Sequence, residues 1–146
     1  MDYSMDTAPL AVSQPVTLEL IDPSGVTTPI SGELLYDSCD PFAVTMVFMA
    51  PQSEVRWTFG RELLCEGIYE PSGDGDVHVW PCLDADGHAV VIIELCSPDG
   101  EALVQARTGE LSSFAERIAT MIPFGTESAH LNLDSTIASL LDAPAA

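Results

Sequence analysis

Two short loops bring carboxylates together beside glycine: Gly73-Asp74-Gly75-Asp76 and Asp84-Ala85-Asp86-Gly87. Clustered oxygens of this kind are what a calcium ion takes, but a dedicated loop supplies six or more of them, usually with a bidentate glutamate at a fixed offset. Neither loop has that glutamate, so both read as turns. His78 and Cys82 offer the nitrogen and sulfur that zinc prefers. In a strand, however, four positions at about 3.3 Å each separate their Cα atoms by roughly 13 Å, too far for one ion. Cys39, Cys65, Cys82 and Cys96 form no Cys-x-x-Cys pair, and reduced structural thiols are expected, with Cys82 and Cys96 as small buried hydrophobes.

Catalytic patterns are no better supplied. The serines lie in turns and helix starts, with no Gly-x-Ser-x-Gly elbow. No cysteine has a histidine and an orienting carboxylate near it in sequence. Gly73-Asp74-Gly75 is a Gly-x-Gly, but it is acidic and has no lysine beside it, a poor cradle for phosphate. His88 and His130 sit beside turns and read as surface or capping groups. The sequence therefore predicts no catalytic, cofactor or metal site and no enzyme. Arg61 with Glu62, and Glu116 with Arg117, read as solvated charges or interface pairs worth little alone. Trp57 reads as core packing. Trp80, sharing a strand face with His78, is the better candidate for a subunit or partner contact.

The elements that carry these residues follow from periodicity. Val16 to Leu20 alternates as a first strand, Asp22-Pro23-Ser24-Gly25 turns, and Ile30 to Tyr36 forms a second strand. Asp37 to Pro41 turns the chain again. Ala43 to Met49 is apolar at nearly every position and is expected to be buried on both faces. Val55, Trp57 and Phe59 alternate with polar residues up to Gly60; Arg61 to Glu66 suits a short helix ending at Gly67. Strand alternation resumes over Asp76 to Cys82, with Val77 and Val79 on one face and His78, Trp80 and Cys82 on the other. Ala89 to Cys96 is the strongest strand signal, and Ser97-Pro98-Asp99-Gly100 turns it into Ala102 to Arg107. Leu111, Phe114, Ala115, Ile118 and Ile122 then fall on one helical stripe closed by Pro123 and Gly125. Asn132 or Asp134 would cap a last helix burying Leu133, Ile137, Leu140 and Leu141. Short connections predict an antiparallel meander for the first four strands. The whole reads as α+β: about seven mostly antiparallel strands, a short mid-chain helix and two C-terminal helices. Residues 15–142 are expected to form one domain, with a loose tail over 1–14 and another over 143–146.

Composition narrows the class of partner. Among 146 residues, 23 acids face four cations, a formal charge of −19, and all four cations are arginines: Arg56, Arg61, Arg107 and Arg117. Nucleic-acid binding and docking on an anionic membrane both need basic surface, and both are disfavoured. No apolar run is longer than the five residues of Ala89 to Ile93, far short of the roughly 20 residues of a membrane span. No secretory pattern is visible, so a cytoplasmic protein without direct membrane insertion is expected. The 47% hydrophobic fraction leaves room for an oligomer interface.

Several ordered motifs point further. Trp57-Thr58-Phe59-Gly60-Arg61-Glu62-Leu63-Leu64, followed by Gly73-Asp74-Gly75-Asp76-Val77-His78-Val79-Trp80-Pro81, resembles the SsgA-like (SALP) family of actinobacterial sporulation and cell-division proteins. Tyr36-Asp37 with Asp40-Pro41-Phe42-Ala43-Val44 agrees before this stretch. Ser97-Pro98-Asp99-Gly100-Glu101-Ala102-Leu103, Ser113-Phe114 with Glu116-Arg117, and Leu131 to Leu141 agree after it. The resemblance runs from Val16 onward, and Ser97 to Arg117 leans towards the SsgB type. It implies a Whirly-like fold, a homotrimer and a non-enzymatic adaptor at the division septum. The implied partners are FtsZ, recruited and promoted to polymerise at sporulation septa, and other SsgA-like division proteins. Two alternatives stand beside this: a paralogue that localises another family member without binding FtsZ, and a single-stranded nucleic-acid-binding module. The resemblance assigns no partner-binding residues.

Overall fold

The computed structural model describes residues 10–131. Eight strands form one sheet in the order β4-β3-β2-β1-β8-β7-β6-β5. They are β1 (Ala11–Ile21), β2 (Thr27–Asp37), β3 (Ala43–Met49), β4 (Glu54–Gly60), β5 (Ser72–Asp74), β6 (Val77–Leu83), β7 (Ala89–Ser97) and β8 (Gly100–Arg107). Helix α1 (Arg61–Gly67) joins β4 to β5, and α2 (Thr108–Met121) follows β8. Every pairing is antiparallel, including β1 with β8. The predicted meander β1–β4 is therefore present, and a second meander, β5–β8, is stitched to it through the first strand.

Three expectations change. Eight strands replace about seven, because Ser72–Asp74 forms a short strand on β6 that three residues with two polar side chains could not announce. The N-terminal tail expected over 1–14 loses its last four residues: Ala11 to Gln14 pair with Asp37 to Leu34. Val12 packs against the core, and Gln14 donates to the Glu110 carbonyl at 2.9 Å. Finally, Glu127–His130 is a 3-10 turn that the sequence did not signal. The helix expected after Asn132 lies outside the described residues.

Alternation along the strands decides which face is core. On the inner face Val16, Leu18, Leu34, Val44, Met46, Val79, Ile93 and Val104 are buried, and α2 lays Leu111, Phe114, Ile118 and Ile122 against them. Helix α1 adds Leu64 and Ile68. Because α1 touches β3 and β4 at one end of the strand order and β5 and β6 at the other, the sheet must curl until its two ends flank the same helix. Gly67 makes the approach to β6 possible, since a Cβ there would overlap the Val79 side chain. Strand β3 meets the two-sided expectation only in part: Val47 is buried on the outer face, but Met49 on that face is exposed. The α2 start is tied to β1, where Glu110 Oε1 accepts the Thr17 amide at 2.7 Å.

Candidate functional site

The candidate chemistry of the sequence resolves into a buried node and three surface features. The node is Arg61. Read as a surface charge or half of an interface pair with Glu62, it is instead 1% exposed. The strand β4 ends at Gly60, and the helix turn that follows swings the first side chain of α1 inward. Its Nη1 donates to the Tyr36 hydroxyl at 2.6 Å, and that hydroxyl donates to the Pro41 carbonyl at 2.7 Å. Its Nη2 donates to the Ile122 carbonyl at 2.7 Å, a group left over at the end of α2. Glu127 Oε2 lies 3.5 Å from Nε. The Phe124 ring covers the guanidinium with 4.1 Å to its centroid, and the Tyr36 ring lies at 5.5 Å.

Four sequence-distant segments thus converge on one cation: β2, the turn before β3, α1 and the chain after α2. Burial pushes the Tyr36 phenol up, against the pull of Arg61. Glu127 moves the other way: its own backbone N–H, the Gly125 amide and the Arg61 charge hold its carboxyl below the usual range. Gly125 donates to Glu127 Oε1 at 2.6 Å, so the carboxylate also fixes the turn that places Phe124. No local sequence pattern marks Arg61 as buried; the partners it needs are non-local.

The first surface feature is the outer face of β6–β7–β8. Trp80 is half-buried there opposite Ile92, which is opposite Gln105. Val90 and Ile92 are buried on this face, apart from the main core. His78 Nδ1 lies 3.4 Å from Glu94 Oε1, and Cys82 is exposed. This corrects the buried-thiol reading: Cys82 is exposed and Cys96 half-buried, both on the outer face, because their strand positions share the parity of Trp80. Cys65 is the more enclosed thiol, and burial raises its pKa to about 11. Trp57, by contrast, packs on the inner core as expected.

The second feature is the Asp84 loop. Asp84, Asp86 and His88 have ligand atoms within 4.8 Å of one another. Asp84 Oδ1 already accepts the amides of Asp86 at 2.9 Å and His88 at 2.8 Å, which is the turn the sequence predicted. The Gly73–Asp76 loop is likewise a turn, with Gly75 at φ +65° between β5 and β6.

The third feature is a cleft of about 540 Å³ between the two ends of the sheet, lined by Trp57 and Thr58 of β4, Leu63 and Glu66 of α1, and Gly73 and Asp76 beyond. The cations are spent elsewhere: Arg56 on Glu54 at 3.0 Å, Arg107 near Glu110 at 3.9 Å and Arg117 on Gln14 at 2.9 Å. Among the described residues no arginine cluster faces any surface, and none of the helices is long and apolar enough to cross a membrane.

A single curled antiparallel sheet with helices on its inner face defines an α+β domain. Its family is known. Residues 30–127 match the model of the family described as Streptomyces sporulation and cell division protein, SsgA, and the chain belongs to that family. It is 42% identical over 131 residues to the sporulation-specific cell division protein SsgB of Streptomyces coelicolor, covering 89% of this chain and 95% of that one. It is 41% identical over 127 residues to SsgB of Kineococcus radiotolerans, at 86% and 77% coverage. An SsgB structure from work on longitudinal cell division in Streptomyces coelicolor superposes with a TM-score of 0.80 at 41% identity, covering 84% of this chain and 97% of that one. The SsgA-like sporulation-specific cell division protein of Thermobifida fusca gives 0.80 at 36% identity, with 90% and 96% covered. The family is one of sporulation cell-division proteins, not a class of enzymes.

Proposed function

We propose that the protein is an SsgB-type adaptor of sporulation septation. In this reading it recruits FtsZ to septum sites and promotes its polymerisation without catalysis. The observation that carries the reading is the 42% identity to an SsgB protein across 89% of the chain. The charge supports protein contacts over nucleic acid: a Whirly-like arrangement would suggest single-strand binding by analogy, but fold does not set function, and −19 with no free arginine cluster opposes phosphate. A homotrimer and other SsgA-like proteins complete the set of partners, and the half-buried Trp80 face is the surface we assign to subunit contact.

Co-sedimentation with FtsZ of the same organism tests this. Pelleting only with GTP-formed filaments, with more FtsZ in the pellet, is expected. A protein that stays in the supernatant while FtsZ pellets normally would overturn direct recruitment in favour of a paralogue acting through another family member. Sedimentation velocity checks the trimer, and Trp80→Ser is expected to shift it towards monomer.

A further inference from the structure

The two ends of the sheet are built differently. Strand β5 is three residues long, and Pro81 lies in its neighbour β6; shortness and proline are ordinary ways to protect an edge. Strand β4 has neither protection. Its seven residues, Glu54–Gly60, contain no proline and pair with β3 in unbroken register from Ala43↔Gly60 to Met49↔Glu54. The Arg61 amide donates to the Phe42 carbonyl at 2.8 Å. Antiparallel alternation from that inward bond turns the backbone N–H and C=O groups of Arg56 and Thr58 away from β3, towards an edge that no strand covers among the described residues. Beside this edge lies the cleft of about 540 Å³, walled by Leu63, Glu62 and Glu66 of α1 with Asp76 opposite.

The charge names the occupant. Three carboxylates line the cleft, yet the chain has no lysine and its arginines are buried or paired. The residues outside the described part carry no lysine, arginine or histidine either, so a second copy of this chain could bring only arginines that already have a partner of their own. We infer that the β4 edge takes an extended, cationic segment of another protein as an added strand: its backbone pairs with Arg56 and Thr58, and its Lys or Arg side chains meet Glu62, Glu66 and Asp76. The inference is independent of FtsZ being the donor, so failure of filament pelleting leaves it standing.

The test uses the full chain and two fluorescein-labelled peptides of sequence Lys-Val-Arg-Val-Lys-Val-Arg. One is unmodified, and the other is N-methylated at alternate residues, keeping the charge but removing the backbone donors. By fluorescence anisotropy the unmodified peptide is expected to bind at least tenfold more tightly, and Glu62→Gln with Glu66→Gln together to weaken it several-fold. Glu19→Gln with Asp86→Asn, which line a separate cavity around the β6–β7 turn, is expected to leave it unchanged. Amide exchange is expected to slow at Arg56 and Thr58 when the unmodified peptide is bound. Equal binding of the two peptides, or equal loss from the distant pair of substitutions, would reduce the effect to general attraction by an acidic protein and overturn the inference. So would slowing at Arg56 and Thr58 produced by protein concentration alone, which would give the edge to a second copy.

Discussion

Arg61→Met removes the guanidinium while keeping much of its volume, and so isolates the polar part of the node. Two buried hydrogen bonds disappear, to the Tyr36 hydroxyl and the Ile122 carbonyl. The hydroxyl still donates to Pro41, but the carbonyl is left without its donor, a loss of about 1–3 kcal/mol for such a buried group. With the second bond and the lost stacking under Phe124, the expected total is about 2–4 kcal/mol. Urea unfolding followed by Trp57 and Trp80 emission, at one protein concentration, reads this directly. With a slope of about 1.5 kcal/mol/M the midpoint falls by roughly 1–3 M. The control is the same change at Arg56, whose side chain is 58% exposed and pairs with a Glu54 that is 47% exposed; it is expected to cost under about 1 kcal/mol. Arg61→Ala adds an unfilled volume and is expected to be worse than Arg61→Met. Equal midpoints for the Arg56 and Arg61 methionine variants would refute the argument, because burial is the only difference on which it depends.

Other outcomes follow from the same geometry. Gly67→Ala drives a Cβ into Val79 and is expected to cost about 1–3 kcal/mol. Gly109→Ala in α2 meets nothing within 4 Å and is expected to add about 0.5–1 kcal/mol; thermal melts of the pair should move in opposite directions. Because the Glu127 carboxyl is held below its ordinary range, its contribution is complete above that range and is lost as pH falls through it. The urea midpoint should therefore drop between about pH 6 and pH 3, and drop less in Glu127→Gln. Tyr36 has the opposite sign: with its phenol raised, its contribution is intact below the ordinary phenol range and fades as pH climbs beyond it. In thiol labelling at about pH 8, exposed Cys39 and Cys82 are expected to react first. Cys65, raised to about 11, is expected to react last.

Much of the architecture was legible in local pattern. Period-2 runs placed the long strands, and the 3.6-residue stripe of Leu111, Phe114 and Ile118 placed α2, because these periodicities report which side of an element is dry. Glycine and proline located the turns, and the ordered motifs around Trp57 and Trp80 carried the family. What local pattern reported poorly was any feature whose energy comes from a distant partner. Ala11 to Gln14 look like tail until β2 and α2 lie beside them. Ser72–Asp74 is a strand only because β6 offers a ladder. Cys82 reads as a buried thiol until the strand's outer parity exposes it.

Sequence alone therefore determined the class of fold, the family and the strongly acidic charge balance, since periodicity, ordered motifs and net charge are properties of the chain itself. Tertiary structure decided the rest. It joined the two meanders through β1 and β8, curled the sheet around α1, set β4 at one end of the described strand order, and enclosed Arg61 among Tyr36, Ile122, Phe124 and Glu127. Each of these depends on groups far apart in sequence meeting in space, and a buried cation is tolerable only once all of its partners have arrived.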